Sequence, residues 1–173
     1  MRSLPRSKSG CSDWMAAALV EARAAAREGE VPVGCVVVLD GRVIAADHNR
    51  TIQLGDPTAH AEILAIRRAA AAVGNHRLTR CELAVTLEPC AMCVGACVQA
   101  RLHRVIYGCA DPRWGALGSR LDLGRPGLFN HDLAVEGGIM ADACREPLQE
   151  FFRERRGRRP SDERSEDGSC ASS

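Results

Sequence analysis

Residues 83–108 read LAVTLEPCAMCVGACVQARLHRVIYG, and the reading of this stretch decides the fold. Leu83 to Leu87 has the short, continuous apolar character of a buried strand, Ala91 to Ala100 is helical, and Arg104 to Gly108 is strand-like again. A strand, a helix and a strand in that order imply a right-handed crossover between parallel neighbours. Upstream, Val33 to Leu39 is a β-branched run, Asp40-Gly41 is a hairpin turn, and Arg42 to Asp47 supplies the returning strand, so an antiparallel hairpin opens the sheet. Between hairpin and crossover, Ala61, Leu64, Ala65, Ala69 and Ala72 recur at helical spacing, which predicts a helix over Thr58 to Ala72 after the Asp56-Pro57 start signal. A first helix is expected from Asp13 to Glu28, carrying Trp14, Ala17, Ala18 and Ala22 on one face, with Ser12 as cap and Gly29 as stop. Downstream, Gly115 to Gly127 reads as a long loop, Leu133 to Val135 as a last strand, and Met140 to Arg156 as a closing helix that runs into an arginine-rich cluster. The expected fold class is α/β: a three-layer α/β/α arrangement around a mixed, mostly parallel five-stranded sheet with helices on both faces. Residues 1–11 and 158–173 are polar and aperiodic and read as disordered tails around one domain, residues 12–157.

Composition narrows the function classes. Of the 173 residues, 46% are apolar, and 23 basic against 22 acidic residues give a net charge of +1. A polyelectrolyte or long disordered chain is excluded, and any nucleic-acid contact must come from a local patch. The Ala-rich run near the start is broken by Glu21, Arg23 and Arg27, so no stretch reaches the roughly 20 apolar residues of a membrane span. The basic segment Met1 to Ser12 lacks the apolar block of a secretory signal, and the expected compartment is the cytoplasm. Nine cysteines are many for such a chain. Their odd number and the missing export signal argue against a disulfide framework. Most, such as Cys35 and Cys109, sit singly among apolar neighbours and read as small buried hydrophobes.

Pro89-Cys90-Ala91-Met92-Cys93 is different. Two thiols three positions apart at a helix start share one face, and the helix N-terminus favours the thiolate form that a soft divalent metal takes. By itself this motif also suits a redox dithiol or half of a structural zinc site. Thirty residues upstream, His60-Ala61-Glu62 marks a second helix start, and the two helix N-termini can converge at neighbouring strand ends of one sheet, where open α/β folds place their ligand sites. His60, Cys90 and Cys93 make three protein ligands for Zn2+ and leave a fourth tetrahedral position for water, the arrangement of a catalytic rather than a structural zinc. Glu62, two residues from the ligating imidazole, is placed to take a proton from that water, whose pKa zinc lowers to about 7, and to pass it on to substrate.

On these residues the sequence resembles the zinc-dependent cytidine and deoxycytidylate deaminase superfamily, whose signature is His-x-Glu followed by Pro-Cys-x-x-Cys. Asp56 to Glu62, Thr86 to Cys93, Gly115 to Ser119, Asn130-His131 and Phe151-Phe152-Arg153 are similar to the bacterial tRNA-specific adenosine deaminase branch, in order, over roughly Asp13 to Arg156. The resemblance implies a cytidine-deaminase-like fold, one zinc per chain, a homodimer, and hydrolytic deamination of the wobble adenosine in a tRNA anticodon stem-loop to inosine. It implies His60, Cys90 and Cys93 as zinc ligands and Glu62 as the catalytic proton shuttle. It further implies that the Asn49 amide reads the purine, that the Ala61 backbone N–H meets the reacting edge of the base, and that Phe152 and Arg153 meet RNA.

Adenine C6 is a poor electrophile and ammonia departs only when protonated, so hydroxide and a returned proton must be supplied in one enclosed pocket. The base must also be splayed out of the loop, and the RNA backbone needs cations. Arg101, Arg104, Arg113, Arg120, Arg125 and the C-terminal arginines are the candidates; Lys8 is the only lysine. Four positions depart from the branch: Arg113-Trp114 stands where Lys-Thr is usual, Asp132 where a basic residue is usual, and Thr51 where a proline is usual. Trp114 suits either stacking on a base or capping an apolar seam. Two other functions use the same residues. One is deamination of a free base or nucleoside of guanine or cytosine type. The other is a non-catalytic zinc module that binds RNA, closed by Cys97 or Cys81, for which Glu62 has no use.

Overall fold

The computed structural model describes residues 8–157. Four helices and five strands follow in the order α1 (Lys8–Arg27), β1 (Gly34–Leu39), β2 (Arg42–His48), α2 (Ala61–Val73), β3 (Cys81–Leu87), α3 (Ala91–Gln99), β4 (Arg104–Cys109), β5 (Ala134–Gly137) and α4 (Ala141–Gly157). The strands lie in the sheet order β2-β1-β3-β4-β5. β1 pairs antiparallel with both β2 and β3, with Val36 opposite Ala46 and Ala84, whereas β3 with β4 and β4 with β5 are parallel. β1 therefore runs against four strands that share one direction, the mixed, mostly parallel sheet expected from the alternation of elements.

α1 and α4 pack together on one face of the sheet and α2 and α3 on the other. The strands between them carry continuous apolar runs because they are covered on both sides: Val36, Val37, Val38, Leu83, Val85, Val105 and Ile106 are all buried. Small residues set the spacing. Ala61, Ala65 and Ala69 form the buried stripe of α2, and Gly34 lets α1 lie against β1, since a Cβ there would collide with the Ala18 carbonyl and the Ala22 N–H.

Strand ends and the other helix ends fall within about two residues of the expectation, and two helix starts differ by more. α1 begins at Lys8, so Ser12 is inside the helix and residues 8–11, expected in a tail, belong to the domain. Packing carries the helix past its local start signal: Cys11 is buried and lies 3.4 Å from the Arg104 guanidinium. The stop at Gly29 is as expected, with φ 79°. α2 begins at Ala61 and not Thr58, because the Asp56 carboxylate accepts both the Thr58 N–H and its hydroxyl at 2.7 Å and holds residues 56–58 in a turn. The expected tails 1–7 and 158–173 lie outside the described residues.

Candidate functional site

The C-terminal ends of β2, β3 and β4 face the same way, and the segments that leave them build one pocket. The residues that open α2 and α3 are His60 and Cys90, each in the N-cap position with extended backbone and no side-chain capping bond. Helices ordinarily place Ser, Thr, Asp or Asn there to satisfy the first N–H groups. An imidazole and a thiol at these positions leave their side chains free for another partner.

The group they form could hold a metal ion. His60, Cys90 and Cys93 form a cluster whose ligand atoms converge, and it is the only such group found among the described residues. The two sulfurs are 3.7 Å apart, Cys93 Sγ is 3.5 Å from His60 Nδ1, and Cys90 Sγ is 3.8 Å from it. A tetrahedral zinc with bonds of about 2.3 Å to sulfur and about 2.05 Å to nitrogen separates its ligands by about 3.8 Å (S to S) and about 3.6 Å (S to N), so the triangle has the size zinc requires. The charge balance agrees. Hydrogen bonding from Cys93, then His60, brings the Cys90 thiol down to about 4 against an opposing effect of burial. The same bond to Cys90, together with burial and the neighbouring Glu62, pushes the Cys93 thiol far up. Two adjacent thiolates repel, and a dication is the group that relieves the repulsion. Neither rival fourth ligand joins the cluster: Cys97 is buried with its thiol pushed up chiefly by burial, and Cys81 opens β3 at the opposite end of the sheet.

Glu62, in the first turn of α2, is 4% exposed. It lines a cavity of about 500 Å³ together with Asn49, His60, Cys90, Met92 and Trp114, a size suited to one nucleobase. Burial raises its carboxyl above the ordinary value, opposed by its own backbone N–H and by His60. The Asn49 side chain is buried in the same wall, where its Oδ1 accepts the Ala61 N–H at 2.9 Å. Asn49 is thus oriented with its NH2 group as the one left to address a ligand. The Ala61 N–H, expected to meet the base, is already engaged by Asn49.

Two residues escape a reading by motif. Glu88, 2% exposed, accepts the N–H groups of Asp111 (3.0 Å), Leu117 (2.9 Å) and Ser119 (3.1 Å), and also the Ser119 hydroxyl. Burial alone would raise its carboxyl; these bonds, that of the Ser119 hydroxyl foremost, outweigh it and hold the group below the ordinary carboxylate value. The Gly115 to Ser119 motif is therefore a loop stapled to Glu88, with Gly115 obligatory because a Cβ there would fall 2.5 Å from the Asp111 carbonyl and from the Glu88 carboxylate. Glu30 does the same for the opposite rim: fully buried, it accepts the N–H groups of Ile52 and Gln53 at 2.8 Å and the Thr51 hydroxyl at 3.2 Å. The hydroxyl explains Thr51, which gives Glu30 a donor that proline lacks. For Glu88 the available signal was a carboxylate between Leu87 and Pro89 at the end of an apolar run; Glu30, which follows Arg27-Glu28-Gly29, carried none.

The expected RNA-facing residues divide. Arg113 and Phe152 line a second cavity of about 790 Å³ beside the first, and Val31, Leu87, Asp111 and Trp114 belong to both. Arg153, Arg120 and Arg125 are exposed and line neither. Arg104 is tied into the far end of the sheet, paired with Glu82 (2.5 Å) and Glu136 (2.9 Å), with its guanidinium 5.9 Å from the Trp14 ring centre. Arg101 is likewise at the far end, donating to the Asn130 carbonyl at 2.9 Å, while His131 bonds the Leu102 carbonyl at 2.7 Å. Asn130-His131 thereby anchors its loop to the turn after α3. Asp132 accepts the Gly127 N–H at 2.8 Å within that loop.

Comparison with known proteins agrees with this chemistry. The family model of the MafB19-like deaminases matches residues 10–156. A tRNA-specific adenosine deaminase of Agrobacterium fabrum is 48% identical over 143 residues, covering 83% of this chain and 94% of the relative. A solved structure from a study of A-to-I editing by tRNA:A34 deaminases at the wobble position is 47% identical with a TM-score of 0.75, covering 79% of this chain and 99% of that one. A guanine deaminase from Nitrosomonas europaea is 27% identical with a TM-score of 0.65, covering 87% of this chain and 86% of that one.

Proposed function

We propose that this chain, which belongs to the MafB19-like deaminases and to the tRNA-specific adenosine deaminases, hydrolytically deaminates adenosine to inosine at the wobble position of a tRNA anticodon. The observation that carries the reading is the zinc-sized triangle of His60, Cys90 and Cys93 with Glu62 beside it on the wall of a cavity sized for one base. Water adds to C6, the C6–N6 bond breaks, and ammonia leaves. His60, Cys90 and Cys93 would hold a zinc ion, which would supply the acidity that makes water a nucleophile at neutral pH. Glu62 takes one proton from water and delivers it to N1 as the C6–O bond forms, then carries the second, from the C6 hydroxyl, to the departing amine, so that inosine keeps N1–H and ammonia leaves; its burial keeps both transfers away from bulk solvent. Asn49, fixed by the Ala61 N–H, holds the purine through its NH2 group. Phe152 and Arg153 meet the RNA around the flipped base.

The same reading makes the protein a cytoplasmic homodimer with one zinc per chain and an anticodon stem-loop as partner. No helix among the described residues is long and apolar enough to cross a membrane.

The discriminating experiment offers an adenosine-bearing anticodon stem-loop and, separately, free adenine, adenosine, guanine and cytidine, and quantifies inosine and ammonia. Inosine in the stem-loop with negligible turnover of the small molecules is the expected result. Turnover of small molecules alone would assign the protein to the free-base deaminases, the reading favoured by its likeness to the guanine deaminase.

A further inference from the structure

We propose that Trp114 is a stacking platform for the nucleobase next to the target adenosine, so that the site takes a splayed two-nucleotide step of RNA and not a lone base. The inference rests on the RNA reading above and deepens it.

Trp114 is 74% exposed, more than any other large apolar side chain among the described residues. A capping role for an apolar seam would bury it. It stands where the 500 Å³ base pocket meets the 790 Å³ cavity and lines both, so a base seated in the first pocket places its neighbour in the strand on the far side of the indole. The second cavity suits a nucleotide: Leu148 and Phe152 offer apolar surface, and Arg113, Arg145, Arg155 and Arg156 line it beside Asp111, with Arg145 paired to Asp142 (2.7 Å) and Arg155 donating to the Gly29 carbonyl (2.8 Å), which leaves Arg113 and Arg156 as the cations on offer. That balance suits an aromatic ring carrying a phosphodiester.

The platform is also held in place beforehand. Asp111 Oδ1 accepts the N–H groups of Arg113 (2.9 Å) and Trp114 (3.2 Å), the Asp111 N–H is bound by Glu88 (3.0 Å), and the Gly115 N–H returns to the Asp111 carbonyl (2.9 Å). The backbone beneath the indole is pinned on both sides, so little ordering remains to be done when a base arrives.

The protein has only two tryptophans, and the other, Trp14, is 7% exposed on the sheet beneath Arg104. Tryptophan emission on titration with an anticodon stem-loop therefore reports Trp114 against an internal reference. The loop should quench the solvent-exposed component. An abasic nucleotide on one side of the target adenosine should remove the quench, and the same change on the other side should leave it. Trp114→Ala should raise KM for the intact loop by roughly tenfold to a hundredfold, with the loss on KM and not kcat; Trp114→Phe should restore most of it; and the abasic loop should make wild type and Trp114→Ala alike. Equal KM for wild type and Trp114→Ala on an intact loop that wild type converts to inosine, or quenching indifferent to both abasic positions, would overturn the platform while leaving the proposed function standing. A loop that neither quenches nor reacts would overturn both.

Discussion

Two buried glutamates face each other across one pocket and live in opposite surroundings. Glu62, at the start of α2, has its carboxyl raised by burial. Glu88, at the end of β3, is held below its ordinary value by three backbone N–H groups and a hydroxyl. The first environment suits a group that must gain and lose a proton; the second suits one that stays ionised and holds a loop. The difference is made by the donors each finds, since both side chains are buried to a similar degree.

Removing Glu62 should break the comparison on the chemical side and have the largest effect. Glu62→Ala should lower kcat for stem-loop deamination by about a thousandfold or more while zinc content and thermal unfolding stay close to wild type. Retained turnover would show that the proton travels by another route.

Glu88→Gln should act on stability first. An amide offers one acceptor oxygen where the carboxylate offers two, so an unfolding free energy lower by about 1–3 kcal/mol is expected in denaturant titration, with activity falling as the 111–119 loop loosens. The pH dependence sharpens the contrast. Because the folded pKa of Glu88 lies below the ordinary carboxylate value, its contribution is fully present above that value and is lost as pH falls through the folded one. Wild type should therefore lose more stability than Glu88→Gln on acidification, and parallel acid limbs would contradict the staple.

Cys97→Ser should do least. Its thiol lies outside the His60, Cys90 and Cys93 cluster, so zinc content and deamination should remain near wild type, with a stability change of about 1 kcal/mol from burying a hydroxyl. Loss of metal would favour a closed, structural site.

The wall that gathers His60, Glu62, Cys90 and Cys93 was legible in the sequence because its signals are local. His60 and Glu62 sit two apart and Cys90 and Cys93 three apart, each pair at a helix start that Pro57 or Pro89 announces. The strand and helix order was legible for the same reason, since a β-branched run such as Val36 to Val38 has few other readings. The opposing wall was not. Glu88 reaches residues 23 to 31 positions ahead through backbone N–H groups, and a backbone donor leaves no mark on residue identity beyond a glycine where approach is close, as at Gly115. The arginines show the same limit. Arg104 and Arg113 look alike in sequence, yet one closes ion pairs with Glu82 and Glu136 at the far end of the sheet and the other lines a cavity beside the site. The first turn of α1 was decided by tertiary packing around Cys11, to which local capping signals are blind.

Zinc-edge X-ray absorption on the purified protein, read together with its metal content, addresses the central claim. One zinc per chain should appear, with two sulfurs at about 2.3 Å, one nitrogen at about 2.0 Å and a light atom from solvent completing the shell. A full shell of protein ligands, or deamination at undiminished rate by protein stripped of metal, would contradict it.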